Sequence, residues 1–149
     1  MSDTLHVVCA RCHTTNRVAR DRLDAGAKCG ACKEALLEAR PLELTGAGFD
    51  RHLNSDDLPL VVDFWAPWCA PCRTMAPAFA EAAARLAPGV RLAKLDTEAE
   101  PGIAARFGIR SIPTLIAFRG GREVARQSGA MGVPQLLQWI RASVPVPAA

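Results

Sequence analysis

Leu60-Val61-Val62-Asp63-Phe64-Trp65-Ala66-Pro67-Trp68-Cys69-Ala70-Pro71-Cys72 is the stretch that decides the fold of this chain. Its first six residues form a nearly continuous apolar run, the pattern of a strand buried on both faces of a sheet. From Cys69 to Leu86, apolar residues at Cys72, Met75, Ala76, Phe79, Ala83 and Leu86 keep helical spacing. A Cys-x-x-Cys pair therefore falls where a buried strand gives way to a helix. A cysteine there sits beside unpaired backbone N–H groups and the positive end of the helix dipole, and both favour thiolate over thiol. The second cysteine, one turn on, can close a disulfide with the first. The pattern predicts a two-electron redox dithiol.

The elements on either side extend this reading into an α/β domain. Gly48–Leu53 is predicted as a short helix, Val90–Leu95 as a strand and Pro101–Phe107 as a helix. Thr114–Phe118 and Glu123–Arg126 are strands joined through Gly120-Gly121, and Pro134–Val144 closes the chain as a helix, with Val133, Leu136, Leu137 and Ile140 on one face. Pro77 is expected to kink the helix after Cys72. The tail Pro145–Ala149 is expected to fray. A βαβ unit followed by a hairpin and a helix implies a central mixed sheet flanked by helices.

All six cysteines fall in Cys-x-x-Cys pairs: Cys9/Cys12, Cys29/Cys32 and Cys69/Cys72. The first two pairs are separated by 16 residues, the two-knuckle spacing of a tetrahedral zinc site. They lie in about 40 residues with few large apolar side chains, too few for a hydrophobic core alone, so the segment needs a staple. We read residues 1–40 as a small zinc-ribbon-like module and residues 41–149 as the α/β domain, with the boundary near Arg40-Pro41. Gly30 is expected to supply the tight turn of the second knuckle. Four thiolates leave no open position, which makes one structural zinc ion the expected cofactor. Cys9-Ala10-Arg11-Cys12-His13 also matches the c-type haem pattern, but haem attachment takes place outside the cytosol and would leave Cys29/Cys32 without a role. His13 is then a surface residue or a donor to a sulfur. Cys69/Cys72 as a third metal half-site fails for lack of partners, since the remaining histidines are His6 and His52.

Composition narrows the class. Half of the 149 residues are apolar, and the formal charge is only +3 with basic and acidic residues interspersed. Nucleic acid is a poor partner for such a surface. No apolar stretch approaches membrane-spanning length. The first eight residues lack a basic region followed by an apolar one, so no secretory leader and a cytoplasmic location are expected, where paired cysteines serve metals or catalysis more often than structural disulfides. There is no Gly-x-Gly-x-x-Gly, so no bound nucleotide or flavin is expected. Asp63 lies mid-strand among apolar neighbours, where an unpaired carboxylate is costly and its pKa should rise.

Val62-Asp63-Phe64-Trp65-Ala66-Pro67-Trp68-Cys69-Ala70-Pro71-Cys72-Arg73 and Gly108-Ile109-Arg110-Ser111-Ile112-Pro113-Thr114 closely resemble the thioredoxin family, over about 100 residues from Leu44 to Val144. With the N-terminal double Cys-x-x-Cys, the likeness is to its zinc-bearing bacterial branch. The resemblance implies a thioredoxin fold and a general protein-disulfide reductase. In it Cys69 attacks as a thiolate, Cys72 resolves the mixed disulfide, and Asp63 takes the proton from Cys72 through water, tuned by Lys94 on the neighbouring strand. A strand lysine also fits a plain solvated charge. Cys69, at the helix end, is expected to be the more exposed sulfur. Ile112-Pro113 matches the family's cis-proline loop, whose exposed backbone at Ser111 and Ile112 can pair with an extended client. Trp68, Ile112, Gly129 and Ala130 would form the apolar contact patch, with Trp65 packed inward. Implied partners are protein disulfides and an NADPH-dependent thioredoxin reductase, with the chain acting as a monomer.

The family's usual Gly-Pro between the cysteines is Ala70-Pro71 here, Ser111 stands where glycine or alanine is common, and there is no tyrosine. The zinc module is read as structural or redox-sensitive, the latter if oxidation of its thiolates releases the metal and loosens the module, and two other readings stay open. One is a protein-binding adaptor directed by the zinc module, and the other is a disulfide isomerase or oxidase, which the reduction potential would separate from a reductase.

Overall fold

A computed structural model describes residues 3–146, leaving Met1, Ser2 and the end of the expected frayed tail, Pro147 to Ala149, outside the described residues. The apolar run becomes strand β4 (Leu60–Trp65), and the helix-patterned stretch becomes α2 (Ala70–Leu86). Around them stand β3 (Leu42–Glu43), α1 (Phe49–Ser55), β5 (Arg91–Asp96), α3 (Pro101–Arg106), β6 (Thr114–Arg119), β7 (Arg122–Ser128) and α4 (Val133–Ser143). The sheet order is β3-β5-β4-β6-β7. β3 and β4 run parallel to β5, while β6 runs antiparallel to both β4 and β7, so the sheet is mixed as expected.

Two apolar layers cover the sheet, and strand alternation sorts residues between them. Val61, Leu92, Leu115 and Ala117 pack with Met75 and Phe79 of α2 and with Leu136 and Ile140 of α4. Val62, Phe64, Ala93, Leu95, Ile116 and Phe118 pack with Phe49 and Leu53 of α1, and with Ile103 and Phe107 at α3. Asp63 has the parity of Val61, so it lies on the α2 side of β4. Pro77 does not end α2. Its ring is exposed, and its missing N–H leaves only the Arg73 carbonyl without a helical donor. Of the expected frayed tail, Val146 is half-buried and packs on the α2–α4 core.

The N-terminal segment has more fold than its composition implied. It forms a hairpin of β1 (Thr4–Val8) and β2 (Thr15–Ala19), paired antiparallel from Thr4–Ala19 to Val8–Thr15. Alternation along β1 buries Leu5 and Val7, which join Val18, Leu36, Cys9 and Cys29 in a small core completed by Leu58, just before β4. The module therefore has apolar packing of its own, shared with the larger domain. Among the described residues, no helix is long and apolar enough to cross a membrane.

Candidate functional site

At the end of β4 the chain turns through Ala66 to Trp68, and Cys69 becomes the N-cap of α2. Cys69 Sγ accepts the Cys72 N–H at 3.2 Å, which is the helix-terminus donation that favours a thiolate. Pro71 in the first turn has no N–H to leave unpaired. Cys69 and Cys72 are joined in a disulfide, the oxidised state of the pair. The expected contrast in exposure is not seen: Cys69 is 4% and Cys72 2% exposed, because Ala66, Trp65 and Ile112 pack around both sulfurs. Arg73 Nη1 donates to the Pro67 carbonyl at 2.7 Å, tying the helix to the turn before it.

The loop Ser111-Ile112-Pro113 lies across from the dithiol, with the Ile112–Pro113 peptide in cis. Cys69 Sγ is 3.7 Å from the Ile112 carbonyl oxygen. Thr114 Oγ1 donates to the Ser111 carbonyl at 2.6 Å and meets Ser128 Oγ at 2.9 Å, while the Gly129 N–H donates to the Pro113 carbonyl at 2.9 Å. These bonds bring the 111–113 and 128–130 segments together, the first of them with Ile112 against the sulfurs. Ser111, Gly129 and Ala130 are exposed, Ile112 is half-buried and Pro113 is buried. Gly129 takes φ +99°, a conformation that favours glycine. Trp68 is 66% exposed, the most exposed large apolar side chain among the described residues.

Asp63 is fully buried and neither carboxylate oxygen has a protein partner. Burial pushes its pKa from 3.8 up to about 7, and the charge of Lys94 pulls partly the other way. Lys94 is the register partner of Asp63 across β4 and β5, and its Nζ lies 4.1 Å from the centroid of the Trp65 ring. Lys94 is therefore half-buried over an aromatic face rather than a freely solvated charge. The backbone of Trp65 is held by Thr97, whose N–H and Oγ1 both donate to the Trp65 carbonyl at 2.8 and 3.0 Å. Thr97 and Arg73 are supporting residues that the sequence did not single out. Their signal was position, one just past the partner strand of β4 and the other directly after Cys72.

The other four cysteines converge. The sulfurs of Cys9, Cys12, Cys29 and Cys32 all lie within 4.8 Å of one another. Each knuckle has the same build: the Cys9 N–H donates to the Thr14 carbonyl and the His13 N–H to the Cys9 carbonyl, with Cys29, Glu34 and Lys33 repeating the pattern. Gly30 is not the residue that makes the turn. His13 (φ 64°) and Lys33 (φ 68°), one after each second cysteine, adopt the left-handed conformation instead. Gly30 supplies its N–H to Asn16 Oδ1 at 2.8 Å, and Asn16 Nδ2 points to Cys29 Sγ at 3.4 Å and donates to the Thr14 carbonyl at 3.1 Å, so Asn16 links the second knuckle to the end of the first. The Arg11 and Ala31 N–H groups point to Cys9 and Cys29 sulfurs, both at 3.4 Å. Four sulfurs this close, with N–H groups aimed at them, fit one tetrahedral dication. The His13 ring is half-buried, lying against Gly48 and 6.1 Å from the ring of His52.

A buried strand that feeds a dithiol at a helix N-cap, opposite a cis-proline loop, defines a thiol–disulfide oxidoreductase of the thioredoxin fold. Residues 40–142 match the family model for thioredoxin, and the chain belongs to the thioredoxin family, whose members are protein-disulfide oxidoreductases. Residues 8–34 match a second family model, the N-terminal zinc ribbon of thioredoxin 2. Thioredoxin C-3 of Corynebacterium nephridii is 46% identical over 134 residues, covering 90% of this chain and 92% of its own. Thioredoxin 1 of Nostoc sp. is 41% identical over 64% of this chain and 90% of its own. The thioredoxin of Rhodospirillum rubrum is 39% identical over 68% of this chain and 98% of its own.

Proposed function

We propose that this chain is a general reductase of protein disulfides that holds one structural zinc ion. The observation that carries this reading is the Cys69–Cys72 pair at the α2 N-terminus, on the side of β4 that holds the unpaired Asp63. In the reduced protein the Cys69 thiolate attacks one sulfur of a client disulfide, forming a mixed disulfide and expelling the other client sulfur as a thiolate. Cys72 then loses its proton, with Asp63 as acceptor through water, and attacks Cys69 Sγ. The second client thiol leaves, and the two electrons now reside on the client while Cys69 and Cys72 are joined. A carboxyl with a pKa near 7 suits this task, because it can take and return a proton at neutral pH. Lys94 tunes that acceptor by its charge.

Trp68, Ser111, Ile112, Pro113, Gly129 and Ala130 form the client surface: an exposed aromatic ring for apolar contact and the loop backbone at Ser111 and Ile112 for strand addition. Electrons return from an NADPH-dependent thioredoxin reductase, and the setting is the cytoplasm. Zinc is held by Cys9, Cys12, Cys29 and Cys32 in a closed shell, where it staples the module over residues 1–40 and takes no part in the exchange. The domain carrying the dithiol begins at residue 41.

Steady-state reduction of a protein disulfide by dithiothreitol tests the division of labour. Cys69→Ser is expected to abolish turnover, and Cys72→Ser to accumulate mixed disulfides with clients. Normal turnover by Cys69→Ser contradicts the reading, as does a Cys72→Ser protein that traps nothing.

A further inference from the structure

Arg91 opens β5 between Val90 and Leu92, an unusual place for a guanidinium, and its side chain is only 5% exposed. A buried charge needs a partner and further hydrogen bonds to be tolerated. Arg91 has both. Nη1 donates to Asp56 Oδ2 at 2.6 Å, in a pair whose carboxylate is 3% exposed. The remaining donors leave the larger domain. Nη1 also reaches the Val8 carbonyl at 2.6 Å, and Nη2 the Leu36 carbonyl at 3.3 Å. Asp56 Oδ2 in turn accepts the Val8 N–H at 3.2 Å, so the backbone of Val8 is held on both sides.

The two segments gripped are the ones that matter for the sulfurs. Val8 immediately precedes Cys9 at the entry to the first knuckle. Leu36 follows the second knuckle, packs against Cys9 and Cys29, and donates its own N–H to the Ala27 carbonyl ahead of Cys29. Next to the pair, the Asp57 N–H donates to the His6 carbonyl at 2.9 Å while Asp57 Oδ2 accepts the His6 N–H at 2.7 Å, so residues 56–57 line β1 from His6 to Val8. Bringing four sulfurs into one tetrahedron costs chain entropy, and a metal site binds more tightly when its scaffold is already ordered.

We propose that the Asp56–Arg91 pair is a positioning device for the metal site, by which the dithiol-bearing domain holds the strand entering one knuckle and the segment leaving the other in their metal-ready geometry. Metal retention then belongs to the whole chain and not to the N-terminal module alone. The inference rests on the zinc reading above.

The test uses the full-length, zinc-loaded protein, with release of the metal to an excess of chromogenic chelator followed in time. Asp56→Asn/Arg91→Met removes both charges while keeping their volume, and it is expected to release zinc about tenfold faster than the parent. Its turnover of a protein disulfide should stay at the parental level, because neither residue touches the dithiol. Arg91→Lys keeps the charge on Asp56 but cannot reach all three oxygens, and an intermediate release rate is expected, which covers the case of a double variant that does not fold. Parental release rates in a folded Arg91→Lys or double variant overturn the proposal. A parent chain that purifies with no stoichiometric zinc overturns the zinc reading itself, so the two failures are distinct.

Discussion

Asparagine in place of Asp63 removes one buried charge with almost no change of shape, which isolates the cost of ionising that carboxyl. Burial holds its pKa at about 7 in the folded protein against 3.8 unperturbed. Between those values the folded state binds the proton and the unfolded state does not, so stability falls as pH rises through that window and stays low above it. At 1.36 kcal/mol per unit the full effect is about 4 kcal/mol, of which about 3 kcal/mol develops between about pH 5 and about pH 8.5. His52 works in the opposite sense. Burial holds its pKa at about 3 against 6.5, so its contribution makes stability rise with pH below about 6.5 in both proteins. The difference between parent and Asp63→Asn therefore reports Asp63 alone. The assay is equilibrium urea unfolding of the oxidised proteins, in which Cys69 and Cys72 carry no titrating proton. The variant should gain on the parent by about 3 kcal/mol across the window, or roughly 6–12 °C in thermal midpoint. Parallel stability curves across that range would refute the assignment of Asp63 as a raised, unpaired carboxyl.

Three more expectations follow from the same geometry. Lys94→Gln removes the charge that holds the Asp63 pKa down, so the stability loss attributed to Asp63 should move to higher pH in the same comparison. Trp68→Ala should lower kcat/KM for protein clients by about tenfold, the weight of an aromatic contact residue, while leaving unfolding stability within about 0.5 kcal/mol; a loss of stability with unchanged kinetics would make Trp68 a packing residue. At Gly48 an added methyl runs into the His13 ring, so Gly48→Ala should destabilise by about 1–3 kcal/mol in urea unfolding, with His13→Ala in the same chain restoring most of it.

How much of this was legible in the sequence depended on the range of the interaction that carried it. β4 and α2 were legible because periodicity and a helix-terminal cysteine are local signals, and Asp63 stood out because a carboxylate interrupted the apolar run. The pairing of Asp63 with Lys94 depends on the register of two strands, which no local pattern encodes. β1 and β2 were missed because each buries only a few apolar residues, on a core completed by Leu58 from the other domain. β3 is two residues long and exists only as a neighbour of β5. Arg91 carried the same kind of signal as Asp63, a charge among apolar residues, yet its partners Asp56, Val8 and Leu36 are 35, 83 and 55 residues away. Gly30 misled because glycine is the usual supplier of a left-handed turn, whereas His13 and Lys33 fill that role here, each held by an N–H bond to the first cysteine's carbonyl.

The central claim is that Cys69 and Cys72 pass electrons to client disulfides, and the reduction potential of that pair in the zinc-loaded protein tests it most directly. Equilibration with glutathione or a reference dithiol, read by alkylation of Cys69 and Cys72, should give about −270 mV, the poise of a disulfide reductant. A value between about −180 and −120 mV would contradict the account and make the protein an isomerase or an oxidant instead.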